Sequence, residues 1–326
     1  MKVAILDDYQ NAVTQLSCFD LLKDHEVTVF NDTTKDPERL AERLQPFDAL
    51  VLIRERTEIT GALLSRLPNL KLISQTGKIS NHIDPALCHQ YGVEIAEGKG
   101  SPVAPSELCW ALIMAASRHI PSYSSQLARC QWQQSSMGLG RTLHGQTLGI
   151  WGYGKIGQRI AQFAKLFGMQ VMVWGSDNSR QKAQENGFLS ANSKQEFFQT
   201  VDILSLHLRL NEVTRGIVRQ EDLAEMKADS LFVNISRAEL VEQNALCEEL
   251  VRVPTKQAAL DVFENEPTTP ENEPLLTLPN VVATPHLGYV EQNSYDLYFQ
   301  IAFENVVAFA SGQPKNLVPK DSESTE

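Results

Sequence analysis

Four residues able to move a proton or hold an anion stand just past three apolar runs. Arg237 follows SLFVNI, Asp261 and Glu266 follow QAAL, and His286 follows NVVAT within ATPHLGYV. An imidazole titrates near neutral pH, so His286 can take a proton from a hydroxyl and return one to a carbonyl oxygen. A carboxylate beside it stabilises the imidazolium, and Glu266 and Asp261 both qualify. An arginine forks onto a carboxylate and polarises a neighbouring carbonyl, which suits Arg237. Together these groups suit the exchange of a 2-hydroxy acid with its 2-keto acid. Taken singly, Arg237 reads as a surface ion-pair residue, Glu266 as a loop carboxylate and Asp261 as a turn former. Their common position past strand ends, where open α/β sheets bind ligands, favours the chemical reading.

A hydride carrier has a place upstream. Residues 149–157 read GIWGYGKIG, so Gly152, Gly154 and Gly157 form G-x-G-x-x-G between an apolar run and the helical stretch QRIAQFAKLFG. In that context the first glycine permits a tight turn, the second a close pyrophosphate, and the third close helix–sheet packing. The amides of Lys155 and Ile156 open the helix, where an anion is favoured. After the next strand, VWGSDNSR places Gly175 where an acidic reader of the ribose would stand, with Ser176, Asp177 and Arg180 following. Arg180 or Ser176 could hold a 2′-phosphate and Asp177 a 2′-hydroxyl, so the sequence supports NAD and NADP equally.

These residues need a scaffold. The chain has 326 residues, 42% hydrophobic and 21% charged, enough for two domains. Short apolar runs alternate with helical patterns throughout, which predicts a parallel α/β architecture. The first series is KVAIL, EVTVF, ALVLI and KLIS; the second is TLGIWG, QVMVW, DILSL, SLFVNI, QAALD and NVVAT. Long helices are expected over 104–118 and 291–309. The expected organisation is two doubly wound domains, with a Rossmann domain over 102–289 inserted into a flavodoxin-like substrate domain of 1–101 and 290–326. The polar end, KDSESTE, is expected to be mobile.

Composition narrows the function further. Lys+Arg 29 against Asp+Glu 40 gives a net charge of −11, which disfavours phosphate-backbone binding to nucleic acid. The five cysteines form no CxxC pair and no zinc spacing, which fits free thiols in a reducing compartment and no metal. The N-terminus lacks a signal-peptide core, and LCWALIMAAS is about half a membrane span. A soluble, cytoplasmic protein is expected.

The pieces LGIWGYGKIGQRIA, DILSLHLRLNEVTRGIV, LFVNISRAELVE, AALDVFENEP and TPHLGYV, in this order, resemble the D-isomer-specific 2-hydroxyacid dehydrogenases, the family of D-3-phosphoglycerate dehydrogenase and glyoxylate/hydroxypyruvate reductase. The resemblance covers nearly the whole chain. It implies catalysis by Arg237, Glu266 and His286, with Glu266 as the histidine's partner and Asp261 on the nicotinamide side. The expected cofactor contacts are then Gly152, Gly154, Lys155, Ile156, Gly157, Ser176, Asp177, His207, Ile235, Ser236, Asp261 and Gly288. A small anionic 2-keto or 2-hydroxy acid would meet Arg237, Arg54, Gly77, Lys78 and Ile79, the last three through a loop whose amides hold the substrate carboxylate. His207 is expected to wall the cofactor pocket. Domain closure and a homodimer through the nucleotide domain are also implied.

The chain departs from the family pattern at Ala238 after the arginine, at Arg209 where a proline is usual, and at Lys78, which adds a charge to the substrate loop. Arg54 and Arg56 in IRERT resemble a stretch near the active site of phosphoglycerate dehydrogenases, and a solvated charged turn is the alternative. Two other functions stay open. One is a phosphoglycerate dehydrogenase-type enzyme without a regulatory domain. The other is a noncatalytic NADH-sensing binding protein like the C-terminal binding corepressors.

Overall fold

The computed structural model describes residues 1–319, so the tail KDSESTE lies outside the described residues. The chain divides into two compact units: Met1–Ser101 with the segment from Glu291 onward, and Pro102–Val290.

The first unit is built on five parallel strands, β1 (Lys2–Ile5), β2 (Glu26–Val29), β3 (Ala49–Leu52), β4 (Leu72–Gln75) and β5 (Glu94–Ala96). Their order, β2-β1-β3-β4-β5, is that of a flavodoxin-like sheet. Strands β3 and β4 bury every residue, which is why they read as unbroken apolar runs. The helix Gln292–Ala310 belongs to this unit and buries Tyr298, Phe299, Phe303 and Val306. Its Ala302 carbonyl accepts a 2.9 Å hydrogen bond from the Ser74 hydroxyl of β4.

The second unit carries seven parallel strands: β6 (Thr147–Trp151), β7 (Gln170–Trp174), β8 (Leu189–Ser190), β9 (Ile203–Leu206), β10 (Leu231–Asn234), β11 (Gln257–Leu260) and β12 (Val281–Ala283). The order β12-β11-β10-β9-β6-β7-β8 is the dinucleotide-binding order with one strand added. It reverses between β6 and β9, and a ligand is expected beyond the carboxyl ends there. The run LCWALIMAAS lies in the helix Val103–Ser117, which buries Cys109, Leu112, Ile113 and Ala116 in one core of the sheet. Phe197 and Phe198, both fully buried, anchor another core; each contributes about 1.5–3 kcal/mol by burial.

Two strands go beyond the apolar runs. β5 has three residues and β8 has two, at the outer ends of their sheets. The counts are therefore five and seven rather than four and six.

Candidate active site

The glycine loop joins β6 to the helix Lys155–Leu166. Gly152 has φ +99°, and a β-carbon there would stand 2.5 Å from the His207 carbonyl oxygen. A β-carbon on Gly157 would stand 2.3 Å from the Gly152 carbonyl oxygen, so the helix can seat on the loop only with glycine. Gly154 differs, since a β-carbon there would meet nothing within 4 Å. The protein's own packing does not demand glycine at that position; a close ligand would. Gly154 is also the N-cap and supplies no side chain to the first turn, so the helix opens on bare amides at Lys155 and Ile156. These features fit a dinucleotide pyrophosphate.

Past β7, Gly175 has φ +150°, and Ser176 caps the next helix by accepting from the Ser179 amide at 3.3 Å. Asp177 accepts a hydrogen bond from Arg180, whose guanidinium also lies 5.1 Å from the Trp174 ring centroid. The two charged candidates among the three ribose readers therefore pair with one another. Past β9, the half-buried His207 pairs its Nε2 with the Ser205 hydroxyl at 2.9 Å. Burial pushes the His207 imidazole down to about 4, so it is neutral at pH 7 and a poor proton source. Its buried Nδ1 has no hydrogen-bond partner among the described residues.

Beyond β10 to β12 the remaining candidates converge. Glu266 Oε2 lies 2.7 Å from His286 Nδ1. The other Glu266 oxygen accepts from the Phe263 amide at 2.9 Å. Burial pushes the Glu266 carboxyl up, but the His286 hydrogen bond and charge, the Phe263 amide and Arg237 together hold it below its ordinary value. His286 has φ +52°, and its ring meets Tyr289 edge-on at 5.6 Å.

Asp261 is fully buried and does not bond the imidazole. It accepts from the Thr284 hydroxyl at 2.6 Å, the Leu287 amide at 2.7 Å and the Gly288 amide at 2.9 Å. Burial raises its carboxyl against these hydrogen bonds. Asp261 thus clamps both sides of the turn that carries His286.

Arg237 donates from Nη1 to the Ser236 carbonyl at 2.6 Å. Asn234 braces that turn: its Nδ2 donates to the Arg237 carbonyl at 2.8 Å and its Oδ1 accepts from the Ser236 amide at 2.9 Å. Ile235 is buried, and the Ser236 hydroxyl donates to the Leu206 carbonyl at 2.8 Å. Sequence reasoning missed Thr284 and Asn234. The only signal was a polar residue at or just past a strand end, beside a chemical one.

The first unit has its own cluster. The Arg54 guanidinium lies over Gly77, where a β-carbon would stand 2.1 Å from Nη1, and it pairs with Glu55 at 3.4 Å. Arg56 donates to the Asp7 carbonyl at 2.6 Å and lies 4.6 Å from the Tyr9 centroid. Lys78 does not add a net charge to its loop, because Glu97 pairs with its ammonium. The other Glu97 oxygen accepts from the Ile79 amide at 3.3 Å. Glu97 was missed because it lies 18 residues along the chain from that amide.

The description "D-isomer specific 2-hydroxyacid dehydrogenase, NAD binding domain" matches residues 110–288. The chain is 33% identical to glyoxylate reductase of Aeropyrum pernix over 92% of each chain. The chain belongs to the D-isomer specific 2-hydroxyacid dehydrogenase family. It is also 33% identical to D-3-phosphoglycerate dehydrogenase of Methanocaldococcus jannaschii, over 88% of this chain but 54% of that protein. The chain thus spans about half the length of that relative. Among solved structures, phosphoglycerate oxidoreductase from Vibrio cholerae superposes with a TM-score of 0.95 and is 66% identical, covering 96% of this chain and 99% of the other. The family's two-domain fold accounts for the two parallel sheets, and its NAD-binding domain for the glycine loop.

Among the described residues, no helix is long and apolar enough to cross a membrane. No group of three or more His, Cys, Asp and Glu residues among them could hold a metal ion.

Proposed function

We propose that the protein is an NAD(P)-dependent D-2-hydroxyacid dehydrogenase that works on small 2-keto or 2-hydroxy acids. The observation that carries this is the 2.7 Å pair of Glu266 and His286 at the carboxyl edge of the dinucleotide-binding sheet. When bound, the nicotinamide supplies or accepts the hydride. His286 Nδ1 is engaged by Glu266, so Nε2 exchanges the proton with the substrate oxygen at C2. In reduction the imidazolium gives that proton; in oxidation the neutral ring takes it. Glu266 stays ionised and stabilises the imidazolium. Arg237 holds the substrate carboxylate and polarises the carbonyl. In the first unit, Arg54 and the Gly77–Ile79 loop are substrate-carboxylate ligands.

The dinucleotide contacts are Gly152, Gly154, Lys155, Ile156 and Gly157 at the pyrophosphate. Ser176 and Asp177 serve the ribose, and His207, Ile235, Ser236, Asp261 and Gly288 line the remainder. Asp177 and Arg180 occupy each other, which supports acceptance of both NAD and NADP. A phosphoglycerate-type substrate is the second reading, favoured by the likeness to the Vibrio cholerae phosphoglycerate oxidoreductase and by the arginines of IRERT.

Following NADH and NADPH absorbance with glyoxylate, hydroxypyruvate and 3-phosphohydroxypyruvate separates these readings by kcat/KM. His286→Ala should lower kcat by roughly 10²- to 10⁴-fold on whichever substrate is turned over. An unchanged kcat, or no turnover of any keto acid by the parent protein, overturns the proposal.

A further inference from the structure

Glu97 is a half-buried carboxylate placed like a ligand. It follows β5, and its own backbone is tied at both ends: its amide donates to the Asn316 carbonyl at 3.0 Å, and its carbonyl accepts from Asn305 Nδ2 at 3.5 Å. Gly98 donates to the Gly77 carbonyl at 2.7 Å, which draws this segment against the 77–79 loop. The side chain then spends one oxygen on the Lys78 ammonium and the other on the Ile79 amide. The Arg54 guanidinium lies over Gly77 in the same loop. This loop therefore already binds a carboxylate, and the carboxylate comes from the chain itself.

We propose that Glu97 is a specificity-determining residue that occupies the carboxylate seat of the 77–79 loop and must be displaced by the substrate's carboxylate. The inference rests on the dehydrogenase reading for the identity of the incoming anion. The physical argument is competition. An anion that needs the Ile79 amide binds only the fraction of molecules in which Glu97 has swung away, so its apparent affinity is reduced by that fraction. Lys78 is two-thirds exposed, with 67% of its side chain accessible, so its ammonium can turn to water and release Glu97 without burying a charge. Arg54 remains over Gly77 to meet the incoming carboxylate. A single carboxylate on a small acid can replace Glu97. The displaced Glu97 stays tethered beside the loop, so a substrate with a second anionic group meets its charge and is selected against.

Glu97→Gln keeps the shape and removes the charge, and Glu97→Ala removes both. The probe is oxamate, a planar monoanionic analogue of a 2-keto acid that cannot be reduced, titrated in the presence of NADH. Both variants should bind oxamate more tightly than the parent, by roughly threefold to tenfold. In turnover, KM for hydroxypyruvate should fall by a similar factor with kcat little changed. The gain for 3-phosphohydroxypyruvate should exceed the gain for hydroxypyruvate. Equal or weaker oxamate binding in both variants overturns the inference and leaves Glu97 as a brace for the loop. Tighter oxamate binding supports it even where no keto acid is turned over, which is the result that sinks the dehydrogenase reading instead. Melting curves for both variants check that the loop is still folded.

Discussion

Glu266 is pulled two ways, and the balance has a pH consequence. Burial raises its carboxyl, while His286, the Phe263 amide and Arg237 lower it further, so the net value lies below that of an ordinary glutamate. A group depressed by folding contributes stability above its unfolded pKa, and loses it only as pH falls through the depressed folded value. The carboxylate is thus charged across the neutral range. Glu266→Gln keeps an oxygen that can accept from Nδ1 but loses that charge, so the imidazolium is less favoured. In keto-acid reduction the alkaline limb of the kcat profile should move to lower pH. Superimposable profiles for the two proteins would rule out the charge as a functional element. That a carboxylate stands beside His286 was legible in the sequence, because Asp261 and Glu266 both follow the strand next to the histidine's; strand position left the two open, and only the family resemblance pointed to Glu266. The clamp of Asp261 on the 287 and 288 amides was not, and neither was the seat of Glu97. Each depends on side-chain reach across loops, which spacing does not encode.

At the scale of elements, the glycine loop separates two reasons for having glycine. At Gly157 the obstacle is the protein, a carbonyl oxygen 2.3 Å from the missing β-carbon. At Gly154 the protein offers no obstacle within 4 Å, and the backbone, at φ −82° and ψ −161°, suits other residues. Gly157→Ala should therefore lower both the melting temperature and NADH affinity, since the helix must lift from its strand. A cost of about 1–3 kcal/mol for overpacking corresponds to roughly 1.5–4 °C in a chain of this size. Gly154→Ala should leave the melting temperature unchanged and still weaken NADH. Calorimetry with a fluorescence titration of NADH reads both quantities, and a Gly154→Ala protein that binds NADH normally would show that no pyrophosphate comes close there. The parallel sheets were legible because buried strands are continuous apolar runs. β8 escaped because two residues make no run, and β5 because its three residues, Glu94, Ile95 and Ala96, include only two apolar ones.

At the scale of the whole molecule, the helix Ile120–Ala128 buries none of its residues. Ile120 and Leu127 on it, and Trp132 and Leu139 just beyond, are 53%, 56%, 73% and 90% exposed. One exposed apolar side chain needs no explanation, but four within twenty residues of one segment make that segment a candidate contact surface. We propose that its occupant is a second copy, the homodimer through the nucleotide-binding unit that the family resemblance implies. A net charge of −11 makes two copies repel, so their contact must be held by apolar area and should tighten as salt screens that repulsion. Light scattering should give twice the 36.4 kDa chain mass. Trp132→Asp, which adds a charge to the segment at a residue that is not among the proposed dinucleotide ligands, should shift the protein toward single chains, most strongly at low salt. NADH affinity per chain should be retained. A parent protein at single-chain mass across the salt range would remove the dimer, and a Trp132→Asp protein that stays paired would move the contact elsewhere on the surface.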